Sequence, residues 1–214
     1  MTITTNWRDL ITFDDNEIYT MVLLMRSKDN KNFEIEPLKS NTALRRIVSK
    51  ESHIDKYFEE LKVIGDSKNL NYNIYINFNP RDLLKSYLKL KHYMLELDRQ
   101  LFHGDLKCLN KLKRINATWF SCLNKKGTHK GRKRHFMIDL DSRKLKDYNS
   151  TKLFIETNKL ELNYEHKSRN GYHLLVSPFD MRLFAEFKKT CGFDIEIKTD
   201  NILQIYYNKI GGKK

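Results

Sequence analysis

The apolar positions of this chain change period several times, and each change marks an element. Trp7 and Leu10 predict a short helix within residues 1–12. Ile18 to Met25 is a strand-like apolar run, and Asn32 to Ile35 is expected to pair with it across the polar turn Lys28-Asp29-Asn30. Asn41 and Ser49 are placed as N-caps of two helices, the second carrying Ile54, Tyr57, Phe58, Leu61 and Ile64 at helical spacing. Tyr72 to Phe78 alternates, which puts Tyr72, Ile74, Ile76 and Phe78 on the one buried face of a strand. Pro80 stops that strand and suits the first turn of a helix, where its missing N–H would have no partner. Two interleaved stripes follow, Leu84, Leu88 and Leu95 beside Tyr87, Leu90, Met94 and Leu97. They predict an amphipathic helix from Arg81 to about Phe102, ended by Gly104. A further helix is predicted over 105–123, then a polar loop N-K-K-G-T-H-K-G-R-K-R.

The pattern of the second half is strand, helix, hairpin, helix, hairpin. Arg134 to Asp141 reads as a short buried strand, and 143–158 as a helix with Leu145, Tyr148, Leu153 and Phe154 inward. Leu160 to His166 and Leu174 to Val176 are strands joined through Asn170-Gly171, a strong hairpin signal. Residues 180–190 form a short helix. Phe193 to Thr199 and Ile202 to Tyr207 are expected to form a second hairpin turned at Asp200-Asn201. The class is α+β, with helices packed on an antiparallel-rich sheet. The expected division is a smaller N-terminal α+β module, 1–104, and a module carrying the chemistry, 105–214, within one compact unit.

Charge adds a partner. Forty Lys and Arg against 27 Asp and Glu give the 214-residue chain a formal charge of +13. Between Asp105 and Arg134 stand ten cations and one acid. Such a segment suits a polyanion, nucleic acid first and an anionic membrane second. Lys125, Lys126, Lys130, Arg132, Lys133 and Arg134 are the candidate grip on a phosphate backbone. Three widely spaced cysteines make no disulfide framework, no signal peptide pattern is present, and no apolar run approaches a membrane span. A reducing, cytoplasmic setting without membrane attachment is expected.

The candidate chemistry lies at the end of the Arg134–Asp141 strand. Residues two apart on a strand share a face, so Asp139 and Asp141 point the same way. Two adjacent carboxylates repel unless a cation lies between them, and Mg²⁺ or Mn²⁺ is the hard, oxygen-seeking choice. Downstream come S-R-N-G-Y-H, ending at His173, and the strand I-E-I-K-T-D, ending at Asp200. The three segments, in this order and spacing, resemble the archaeo-eukaryotic primase (primase-polymerase) superfamily over roughly residues 130–207. Asn79-Pro80-Arg81 resembles a fainter feature of that family.

The resemblance implies a primase-polymerase-like core with an RRM-like C-terminal module. It implies that Asp139, Asp141 and Asp200 bind two divalent ions and that His173, Ser168 and Arg169 meet the triphosphate of an NTP or dNTP. The activity implied is synthesis of short primers on single-stranded DNA, with a helicase or accessory subunit as a possible partner. The chain departs from the family in having neither Arg nor His shortly after Asp200. Asp194, with Glu196 and Lys198 on the same strand, competes with Asp200 as the third acid. Zinc is not expected: His103, Cys108, Cys122 and His129 match no zinc spacing. Two other readings stand beside the first. Asp194-x-Glu196-x-Lys198 resembles the PD-(D/E)xK pattern of metal-dependent nucleases, and the charge run alone would serve a non-catalytic nucleic-acid-binding subunit.

Overall fold

The computed structural model describes residues 6–30, 41–125, 127–129, 133–168 and 170–209. The chain is α+β, its sheets antiparallel. The expected cut at 104/105 gives way to an interleaved division. One compact unit holds residues 1–12, 19–79 and 133–214; the other holds 13–18 and 80–132. No described helix is long and apolar enough to cross a membrane.

The larger unit opens with a 3-10 turn, Trp7–Leu10, capped by the Asn6 side chain. Strand β1 (Glu17–Met25) pairs with β2 (Thr42–Val48) through seven residue pairs. The helix expected from Asn41 is therefore a strand: the long antiparallel pairing overrides local capping signals. Asn41 instead accepts a hydrogen bond from the backbone N–H of Ser27 at 3.0 Å. The expected strand at 32–35 lies outside the described residues. Helix α1 (Ser52–Ser67) starts three residues after the expected cap Ser49 and packs its buried Ile54, Phe58 and Leu61 inward. Strand β3 (Tyr72–Asn77) is buried on both faces, not one. Tyr72 packs toward α1, while Asn73, Tyr75 and Asn77 occupy the opposite face.

Residues 80–125 belong to the smaller unit. There β4 (Arg81–Asp82) pairs with Glu17 and Ile18. Helix α2 (Leu83–Phe102) is capped by Asp82, whose carboxylate accepts from Lys85 N at 2.9 Å. Of its two expected stripes, Leu84, Leu88 and Leu95 are all more than half exposed, while Leu97 of the other is buried together with Ser86. The single helix expected over 105–123 is broken into a 3-10 turn (Leu106–Cys108), α3 (Leu109–Leu112) and α4 (Ile115–Leu123). Like charges at i,i+4, Lys107 and Lys111, weaken a continuous helix there.

The chain then returns to the larger unit and builds a second sheet. Its elements are β5 (Phe136–Leu140), α5 (Leu145–Thr157), β6 (Leu162–Lys167), β7 (Tyr172–Val176), α6 (Met181–Thr190) and β8 (Ile195–Lys198). The spatial order is β6-β7-β5-β8, antiparallel throughout, a split βαββαβ arrangement. Ile138, Leu140, Leu174, Val176 and Ile195 form one core with Phe154 and Ile155 of α5 and Phe184 of α6. Leu145 and Leu153, expected inward, are exposed; Thr151, Phe154 and Ile155 take the inner face. The second expected hairpin does not form. β8 pairs with β5, whereas β9 (Ile202–Asn208) crosses to the first sheet and pairs with β3, giving the order β2-β1-β3-β9.

Two asparagines fasten the sheets. Asn77 Oδ1 accepts from Thr20 N in β1, and Asn77 Nδ2 donates to the carbonyl of Asn79. Asn79, itself fully buried, accepts from Arg134 N at 2.8 Å and His135 N at 3.0 Å. Its Nδ2 donates to the carbonyls of His135 at 2.9 Å and Thr199 at 3.4 Å. The Asn79 side chain thus holds both the entry to β5 and the exit from β8. Replacing Asn79 by Ala leaves two buried N–H groups without an acceptor, and about 2–4 kcal/mol of stability should be lost. Urea denaturation monitored by far-UV circular dichroism measures this; a loss below about 1 kcal/mol would remove Asn79 as the fastener.

Candidate functional site

Alternation along β5 sorts its side chains. Phe136, Ile138 and Leu140 turn to the helices, leaving Met137, Asp139 and Asp141 for the other face. β7 and β8 do the same, presenting His173, Glu196 and Lys198. The result is a cleft of about 300 Å³ lined by Met137, Asp139, Asp141, Ser168, Asn170, His173 and Lys198. The opposite lining comes from the first sheet and its loops: Arg26, Lys28, Asp29, Asn73, Tyr75, Gln204 and Tyr207, with Asn201 and Ile202 at the crossing.

Asp139 is the centre of the site. It stands directly across from His173 on β7 and Glu196 on β8. His173 Nε2 lies 3.2 Å from Asp139 Oδ1, and the Lys198 ammonium donates to Oδ2. Lys198 also lies 3.8 Å from Glu196 Oε2. Burial alone would raise the Asp139 carboxyl pKa, but the bonds from His173 and Lys198 outweigh it and hold the group below the usual range. Burial pulls the Lys198 ammonium down, and the Asp139 bond with the charges of Asp139, Glu196 and Asp141 lifts it above its usual value. The two shifts agree: this is an ionised pair. The buried Nδ1 of His173 has no hydrogen-bond partner among the described residues. Beyond it the His166 ring lies 6.2 Å away, its pKa lowered by burial and by the charge of His173.

The β6–β7 hairpin forms as the Asn170-Gly171 signal implied. Ser168 N donates to the Gly171 carbonyl at 2.9 Å, and Gly171 N donates to Ser168 Oγ at 3.2 Å. Glycine is required here by proximity. A Cβ on Gly171 would sit 1.8 Å from the Leu140 carbonyl oxygen and 2.8 Å from Ser142 N. The turn therefore rests on the backbone flanking Asp141, which ties the S-R-N-G-Y-H segment to the acid pair.

Of the sequence-predicted residues, Asp139, Asp141, Ser168 and His173 share the cleft. Asp200 lies beyond β8 with its Oδ1 enclosed by protein, and it is not among the cleft-lining residues. Asp194 is exposed just before β8. The acid that register brings opposite Asp139 is Glu196. Arg169 lies outside the described residues. So do Lys126, Lys130 and Arg132, while Lys125 is exposed in the smaller unit. Lys133 and Arg134 bind within the protein. Lys133 donates to Thr199 Oγ1 at 2.9 Å, and Arg134 reaches the Thr12 carbonyl at 3.0 Å and the Tyr19 hydroxyl at 3.1 Å. Among the described residues no three His, Cys, Asp or Glu side chains already converge as metal ligands. In the sequence Glu196 and Lys198 stood out only beside Asp194, in the PD-(D/E)xK resemblance; β5–β8 pairing joins them to Asp139 instead. Asn73, Tyr75 and Gln204 carried no chemical signal, since only the crossing of β9 to β3 brings them together.

Comparison with protein-family models, curated proteins and solved structures gave no match.

Gly171→Ala should displace the turn from Leu140, lower stability by about 1–3 kcal/mol, and shift the backbone amide resonances of Asp141 and Ser142. A variant with wild-type stability and unchanged resonances at both residues would contradict the close approach.

Proposed function

We propose that the cleft transfers nucleotides in the manner of a primase-polymerase, building short primers on single-stranded DNA. The observation that carries this reading is Asp139, registered opposite His173 on central strands, with Asp141 two residues on in the same cleft. The split βαββαβ sheet beneath them supports it, being the connectivity of an RRM-like module. Asp139, Asp141 and Glu196 are oxygen donors of the kind a hard divalent ion takes, and a cation, the Lys198 ammonium, already sits against Asp139. Asp139 and Asp141 would hold Mg²⁺ or Mn²⁺, with Glu196 as the third acid. Such ions, when bound, activate the attacking hydroxyl and steady the departing pyrophosphate. His173 stands beside the phosphates, and Lys198 released from Asp139 offsets the triphosphate charge. Ser168 fixes the turn beside them. The cations from Lys125 to Arg132 hold the template backbone.

One observation favours a second reading. Lys198 joins Asp139 and Glu196 in one cluster, so a nuclease of the PD-(D/E)xK kind would use Asp139, rather than Asp194, as its distant acid. Loss of activity in Lys198→Ala does not separate the readings, because Lys198 touches Asp139 in either. The product does. Unprimed circular single-stranded DNA with labelled NTPs or dNTPs and Mg²⁺ or Mn²⁺ should yield short labelled oligonucleotides. Output should fall at least about a hundred-fold in Asp139→Asn/Asp141→Asn. Linearised or shortened template without labelled product would favour the nuclease. Intact template without product, in either metal, would leave the binding subunit.

A further inference from the structure

The wall facing the acid pair has a chemistry of its own. Asn73 of β3 and Gln204 of β9 are both less than a tenth exposed, yet both line the cleft. Gln204 Nε2 donates to Asn73 Oδ1 at 2.9 Å. That bond uses one donor and one acceptor of the pair. The NH₂ of Asn73 and the carbonyl of Gln204 are among the groups that remain for whatever occupies the cleft. Turning both amides over reverses their order, so the wall presents a donor group beside an acceptor group in either case. Neither Asn73 Nδ2 nor Gln204 Oε1 is among the enclosed atoms without a partner, so both are open to the cleft, where a ligand's polar edge can take the place of solvent.

The surroundings of the pair are flat and aromatic. Tyr75, registered against Gln204, takes a hydrogen bond from Arg26 at 2.9 Å, and that guanidinium lies 5.6 Å from the ring centre. Register shifts between Ile74 and Tyr75, where Ile205 is the extra residue on β9. The bulge re-aims the strand. Tyr206 turns back to Phe58 and Tyr72, and Tyr207 turns into the cleft. A side-by-side donor and acceptor flanked by an aromatic ring and a guanidinium complements the edge and face of a nucleobase.

We propose that Asn73 and Gln204 read the base edge of the nucleotide in this cleft, so the protein itself selects among bases. The inference rests on the nucleotide-site reading above and adds to it a specificity element on the wall away from the acids. Equilibrium binding of ATP, GTP, CTP, UTP and inorganic tripolyphosphate to the full chain, with Mg²⁺ present, tests it. Wild type should show at least a ten-fold spread among the four nucleotides. Gln204→Met should narrow the spread to about two-fold while tripolyphosphate affinity is kept. Gln204→Glu, closer in shape, turns a donor into an acceptor and should change which base binds best. Equal binding of all four nucleotides by wild type overturns base reading and leaves the nucleotide site standing. An unchanged preference order and spread in both variants overturns it as well. Failure of every nucleotide and of tripolyphosphate to bind overturns both readings.

Discussion

Asn79 is the constraint on which the rest depends. Strands β5 and β8 carry the acids and the lysine, and they are short: five and four residues. Their ladders run from Phe136 to Leu140 and from Ile195 to Lys198 and leave the flanking backbone at both ends to be held by other groups. One amide side chain holds the entry to β5 and the exit from β8, bonding the backbone at 134–135 and at Thr199. Asn77, two residues earlier, bonds the backbone of β1. Through these two side chains the first sheet anchors one end of β5, a central strand of the second sheet, and of its edge neighbour β8. The ladders of β5 with β7 and β8 set the register in which Asp139 meets His173 and Glu196, and the segment Asn77 to Asn79 anchors the ends of β5 and β8 to the first sheet.

The electrostatics of the cleft follow from that register. A carboxylate as buried as Asp139 is unfavourable alone, and its hydrogen bonds with His173 and Lys198 bring its pKa below the usual range. Lys198 is the closer partner and also feels Glu196 and Asp141. Its ammonium holds together the acids that would otherwise repel across adjoining strands. A doubly charged ion would do the same more strongly, and its arrival would release Lys198 toward an anionic ligand. On the proposed reading, the acid wall and the amide wall would divide the labour at a nucleotide: charge on one side, shape and hydrogen-bond pattern on the other.

Much of the second sheet was legible in the sequence because local signals there agree with tertiary pairing. The F-M-I-D-L-D alternation put Asp139 and Asp141 on one face, and Asn170-Gly171 placed the hairpin that brings His173 to Asp139. Elsewhere tertiary pairing overrode local pattern. The segment after Asn41 became a strand because β1 offered it seven partners. Ile195–Lys198 and Ile202–Asn208, separated by three residues, looked like a hairpin and instead joined different sheets. That crossing brings Gln204 to Asn73, and no periodicity in either strand announces it. The partner of Glu196 was hidden for a related reason. The local pattern ties Glu196 to Asp194 and Lys198 on its own strand, and only the pairing of β8 with β5 sets it across from Asp139.

A crystal structure of the chain with Mn²⁺ and a non-hydrolysable nucleoside triphosphate tests the central claim most directly. The account predicts anomalous Mn²⁺ density against Asp139 and Asp141, Lys198 moved off Asp139, and the triphosphate beside His173. Mn²⁺ and nucleotide bound elsewhere, with the Lys198–Asp139 bond intact, would contradict it.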